Sequence, residues 1–160
     1  MPNGTSQAHT TYDKIYKQNV KSGVVYEKEK WYEMKRAVLA IRNRLVLEAV
    51  TNALKRTGFF VEKSSSQETE RIITLTNALA ATTLVMDVTR SGDGTFDMRM
   101  NTAREVKRQN PKIKIVLLCD NVSDESSTYK VKCAKEDGSV DAFFYESVPS
   151  DYLADAIDVL

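Results

Sequence analysis

The body of this chain has no histidine. The one present, His9, stands in a polar N-terminal stretch, so neither a histidine base nor a zinc site is available from the folded part. Cys119 and Cys133 are too few for a disulfide framework and lack metal-ligand spacing; both read as reduced thiols. No apolar run approaches the roughly 20 residues of a membrane helix. The N-terminus, MPNGTSQAHTTYDK, lacks the basic-then-apolar layout of a signal peptide, so a cytoplasmic location is expected. Lys and Arg are missing altogether from Glu136 to Leu160, where seven acids stand, whereas residues 1–36 carry seven Lys and Arg against four acids. The net charge of +1 hides this asymmetry. It favours electrostatic docking to a partner or between copies of the chain, or it marks two differently solvated faces. Nothing resembles the basic stripe of a nucleic-acid binder, so no direct nucleic-acid contact is expected.

What is present is a hydrophobic content of 42% in 160 residues, enough for one domain with a proper core. The first dozen residues have little to bury and read as mobile. Tyr12 to Met34 mixes aromatics and valines with lysines, compatible with a short helix and a strand, and a boundary falls near Lys35. Residues 1–35 are thus an extension and 36–160 the domain. From Arg36 onward short apolar runs alternate with amphipathic stretches, the pattern of βα units and a parallel sheet. Ala37–Ile41, Phe59–Glu62, Thr83–Val88, Ile113–Cys119 and Ala142–Tyr145 read as strands. Arg44–Thr57, Ser66–Ala80, Phe96–Gln109, Asp124–Glu136 and Pro149–Leu160 read as helices, the first stopped by Gly58 and the third by Asn110 and Pro111. Right-handed crossovers then give a flavodoxin-like α/β three-layer sandwich, a parallel sheet of order 2-1-3-4-5 with five helices.

Ligands of such sheets sit outside the carboxyl ends of the strands. The run Thr83 to Asp87 (TLVMD) delivers a carboxylate there, followed by the loop Thr89 to Gly94 (TRSGDG). Asp87 is either a reactive acid or simply the end of the strand.

The segments KRAVLAIRNRLVLEAVTNALKRTG, LVMD and DAFFYESVPSDYLADAI, in this order and spacing, resemble a bacterial response-regulator receiver domain of the CheY-like type over residues 35–160. The resemblance places Asp87 on the phosphoacceptor position and implies a signalling module, not an enzyme. It also implies partners that are missing here. Two acids that hold Mg²⁺ after the first strand are replaced by Ile41 and Arg42, which cannot ligate a hard cation. The hydroxyl ending the fourth strand is replaced by Cys119, a much weaker donor. The lysine ending the fifth strand is replaced by Glu146, or by Tyr145 if that loop slips by one. Thr89 and Asp120 complete the degenerate pocket. Arg42 is expected to pair with Asp87 in place of a metal, with Asp120 as a second acceptor, or else to extend into solvent.

With metal, cation and hydroxyl gone together, phosphorylation at ordinary rates is not expected. The chain then reads as an atypical receiver, a phosphorylation-independent interaction module without a cofactor. Its face for a signalling partner or a second copy would include Tyr145 and Tyr152. One alternative is a phosphorylatable receiver using Mg²⁺, with Asp93 or Asp120 displaced into the metal site. Another is a flavodoxin-like small-ligand binder, although the loop IRNRL has no glycine to cradle the phosphate of FMN. The output domain to which most receivers are joined is not found in these 160 residues.

Overall fold

Strands buried on both sides need a helical layer on each face. The computed structural model, which describes residues 4–23, 27–120 and 125–160, has that arrangement. Its elements are α1 (Gly4–Ser22), α2 (Lys28–Glu33), β1 (Arg36–Ala40), α3 (Arg44–Arg56), β2 (Phe60–Lys63), α4 (Thr69–Leu79) and β3 (Thr83–Asp87). There follow a 3-10 turn (Gly92–Gly94), α5 (Phe96–Gln109), β4 (Lys114–Cys119), α6 (Glu125–Glu136), β5 (Ala142–Tyr145) and α7 (Ser150–Asp158). The sheet is parallel throughout with order β2-β1-β3-β4-β5, as the alternating pattern requires.

Side chains alternate between the two faces along each strand. Val38, Ala40, Leu84, Met86, Ile115 and Leu117 pack with Ile72 and Leu79 of α4, Val106 of α5 and Val131 of α6. Leu39, Val85, Val116 and Leu118 pack on the other face with Val50 and Leu54 of α3 and Leu153 and Ile157 of α7. Element boundaries follow local chemistry. Asn43 caps α3, its side chain accepting from the amides of Leu45 and Val46. The α4 helix starts at Thr69, not Ser66, because Ser64 and Ser66 bond to the loop backbone instead. Ala80 ends α4 in the left-handed region at φ +49°.

Seven α-helices are described where five were expected, because the extension is helical. Gly4–Ser22 is a helix where composition pointed to a mobile segment, and Lys28–Glu33 is a second helix where a strand was compatible with the pattern. Val24, Val25 and Tyr26 lie outside the described residues. The reason is burial: Tyr12 and Trp31 belong to the core on the α4 side of the sheet, and α1 packs against α4. Trp31 meets Phe60 of β2 edge-on, with ring centres 4.9 Å apart. Beneath it lies buried Arg36, whose Nη1 donates to the carbonyls of Trp31 and Met34 and whose Nε donates to that of Ala80. No described helix is long and apolar enough to cross a membrane.

The extension is therefore part of the domain's core. Trp31→Ala should lower unfolding free energy by about 3–5 kcal/mol, the usual loss for a buried tryptophan, in urea denaturation followed by circular dichroism. A loss below about 1 kcal/mol would mean that the extension contributes nothing to the core.

Candidate functional site

The loops after β1, β3, β4 and β5 enclose a cleft of about 470 Å³ at the carboxyl ends of the strands. Arg42, Asp87, Thr89, Cys119, Asp120 and Glu146 all line it. Of the expected pocket residues only Ile41 is elsewhere, its side chain buried on the α3 and α7 side of the sheet. Asp93 lies exposed in the 3-10 turn and does not line the cleft. β5 ends at Tyr145, the amide of Glu146 donates to the carbonyl of Cys119, and Glu146 faces the cleft. Tyr145 is half-buried and packs on the core edge-on to Phe143, so of the two tyrosines expected on an interaction face only Tyr152 is exposed.

Asp87 is 1% exposed, and both of its carboxylate oxygens are engaged. Oδ2 accepts the backbone amide of Arg42 at 2.8 Å. Oδ1 accepts Nη2 of Arg99 at 2.9 Å, in an ion pair whose two side chains are 0% and 2% exposed. The expected partnership with Arg42 is thus corrected. Arg42 contributes its main chain, while its guanidinium turns along the surface to the carbonyl of Ser91 at 3.2 Å. The permanent counter-charge comes from Arg99.

Arg99 does more than neutralise Asp87. Its Nε donates to the Asp87 carbonyl at 2.8 Å, and Nη2 also reaches the carbonyl of Ala40 at 3.0 Å and Oε1 of Gln67 at 2.6 Å. Burial pulls the guanidinium below its ordinary value and Asp87 holds it up, so it stays charged. The loop after β3 is shaped around it. The Thr89 amide closes onto the Gly94 carbonyl at 2.8 Å, and a Cβ at Gly94 would run into Thr89 Oγ1. A side chain at Gly94 would have to push the Thr89 side chain aside and would crowd Nη2 of Arg99.

Arg99 was legible on one condition. In FDMRMNTAREVKRQ the buried residues are Arg99, Thr102, Ala103 and Val106, which share one helical stripe. An arginine on a buried stripe demands a carboxylate.

On the opposite wall Glu146 has no such compensation. Burial first, then the carboxylates of Asp87 and Asp120, hold its carboxyl above the usual carboxylate value.

No protein-family model matches the chain, and no curated protein matches it either. Comparison of structures finds clear neighbours. One is a response regulator from Thermotoga maritima, 17% identical with a TM-score of 0.62, covering 79% of this chain and 96% of that one. Another is an orphan response regulator of H. pylori, 13% identical with a TM-score of 0.60, covering 78% and 94%. A third is the response regulator TrrA from Thermotoga maritima in complex with Mg²⁺ and BeF, 17% identical with a TM-score of 0.60, covering 79% and 98%. The fold is that of a response-regulator receiver domain. Within that receiver fold, α3 to α7 are the five expected helices and Asp87 stands at the end of β3. The donor set does not suit magnesium. Ile41 is apolar and buried, Arg42 is cationic, both Asp87 oxygens are occupied, and no group of three or more His, Cys, Asp or Glu suited to a metal exists among the described residues.

Three outcomes follow from this geometry. Asp87→Ala strands a buried guanidinium and should cost about 3–5 kcal/mol, while the double change Asp87→Leu with Arg99→Met should cost much less than the two single changes added. Arg42→Ala should stay within about 0.5 kcal/mol of the parent in the same denaturation assay. For Glu146, whose folded value lies above its unfolded one, the stability contribution is complete at low pH and is lost as pH rises through the folded value. Glu146→Gln should therefore raise Tm at pH 7 and leave it unchanged near pH 3, below the unfolded value of about 4.3.

Proposed function

We propose that this receiver-fold domain is a phosphorylation-independent interaction module of signal transduction, held in one state by the Asp87–Arg99 pair. The observation that carries the reading is the engagement of both Asp87 oxygens inside the protein. Phosphoryl transfer to a carboxylate needs an exposed oxygen approaching phosphorus in line, and positive charge around three equatorial oxygens. Here the nucleophile is buried and hydrogen-bonded. A phosphoryl group in the cleft would also meet Glu146 and Asp120, so charge repulsion replaces the stabilisation that the chemistry requires. No metal or other cofactor takes part in this reading, and the partner is a signalling protein that reads the surface of α6, β5 and α7. Tyr129 and Tyr152 stand 70% and 62% exposed there, amphipathic anchors of the kind that dominate interfaces.

The test is an amide-resolved NMR titration with Mg²⁺ and then beryllofluoride, together with intact-mass analysis after incubation with acetyl phosphate. The expected result is no saturable shift around Asp87 and no gain in mass. Saturable shifts centred on Asp87 and spreading to α6, or a phosphate adduct at Asp87, would overturn the reading.

A further inference from the structure

We infer that the outer face of α1 docks on the outer face of α7 of a second copy of this chain, giving a head-to-tail assembly. Four observations lead to it.

The charge asymmetry of the sequence becomes spatial in the fold. The α1 helix belongs with α4 to the layer on one face of the sheet, and α7 belongs with α3 to the layer on the other. One molecule therefore presents its basic helix and its acidic helix on different sides, where neither satisfies the other.

The apolar content of the two faces also matches. On α1, Tyr16 and Val20 are four residues apart and stand 38% and 48% exposed. Lys17 and Lys21 repeat the same spacing beside them. On α7, Tyr152, Asp155 and Val159 fall on one stripe, with Tyr152 62% and Val159 82% exposed. Each face carries one tyrosine, one valine and charge of a single sign alongside.

The charges have been left unspent. Among the described residues Lys17, Lys21 and Asp155 make no ion pair, although on the same helix Asp151 is paired with Arg56 and Asp158 with Lys35, which leaves Asp155 as the unspent acid of α7. Asp13 is the one acid on the described α1 segment.

Finally, the α1 anchor is already ordered. The ring of Tyr16 stacks on that of buried Tyr12 with centres 5.7 Å apart, so little side-chain freedom remains to be lost on docking. A contact between two different surfaces of the same chain is heterologous, and it closes into a ring or grows as an open array. It differs in kind from a symmetric dimer, in which one surface meets itself. The inference does not depend on whether Asp87 takes phosphate.

The experiment uses sedimentation velocity of the full chain over a hundredfold range of concentration. The parent should form species larger than a monomer, weakened at least tenfold when salt rises from about 0.05 M to about 0.5 M, because screening shortens from roughly 14 Å to 4 Å. Lys17→Glu with Lys21→Glu removes the α1 face, and Tyr152→Ala with Asp155→Lys removes the α7 face. All four positions are exposed, so both variants should fold, with circular dichroism as the control. Each variant alone should be monomeric, and the two mixed should form a one-to-one complex that grows no further. A monomeric parent at all concentrations overturns the inference. So does either variant self-associating like the parent, which would reveal a symmetric contact, or a mixture that stays monomeric. Acetyl phosphate treatment of the same samples separates a failure here from a failure of the phosphorylation-independent reading, which predicts no effect of that treatment on assembly.

Discussion

Arg99 is sunk where the strands end, and the carboxyl edge of the sheet is organised around it. One guanidinium holds the end of β1 through Ala40, the end of β3 through both the carbonyl and the carboxylate of Asp87, and the loop after β2 through Gln67. A fully buried cation is expensive, and only a carboxylate with good geometry offsets that cost. The two residues are therefore mutually obligatory. Its Nη1 has no partner among the described residues, which is a cost of about 1–3 kcal/mol for a buried donor. A core chosen for stability alone would not keep such an arginine. Its presence makes sense as a device that fixes where two strand ends and one loop sit.

The electrostatics of the cleft follow from the same pair. Once Asp87 is neutralised from inside, a metal is not required to hold it at the end of β3, and the outer wall is released from serving a bound phosphate. Glu146 lines the cleft just after β5, and its carboxyl is pushed upward by burial and by Asp87 and Asp120. Arg42, no longer needed beside the acid, lies along the Ser91 loop. At an effective dielectric of about 20, a single carboxylate about 4 Å from a phosphoryl oxygen is worth roughly 4 kcal/mol of repulsion.

Much of this was legible. The five strands, their order and the helices between them came from apolar runs and stop signals, because in a parallel sheet both faces of a strand are buried and the pattern is strong. Asp87 came from its position at the carboxyl end of a strand, and the walls of the cleft came from the receiver resemblance. Arg99 was not read, because in a helix as polar as FDMRMNTAREVKRQ one more arginine looks like surface until its stripe is traced. The extension was read only in part, as a mobile stretch followed by a short helix and a strand. The burial of α1 and α2 is set by a contact distant in sequence, Trp31 on Phe60, and not by a period within the segment. Pairing Asp87 with Arg42 failed for a simple geometric reason: the residue after β1 turns its amide, not its side chain, toward the end of β3.

Two buried arginines bracket α4. Arg99 holds Gln67 just before the helix, and Arg36 holds the carbonyl of Ala80 just after it. Between them Thr69 meets Thr102 of α5 at 2.8 Å, Asn77 meets Gln109, and α1 covers the helix from outside. Switching by receiver-like rearrangement needs packed elements with two arrangements of similar energy. An element tied at both ends by charged groups that cannot be left unpaired has one. On the proposed reading, recognition rests on what the surfaces display, lysines and a stacked tyrosine on α1, an aspartate and an exposed tyrosine on α7.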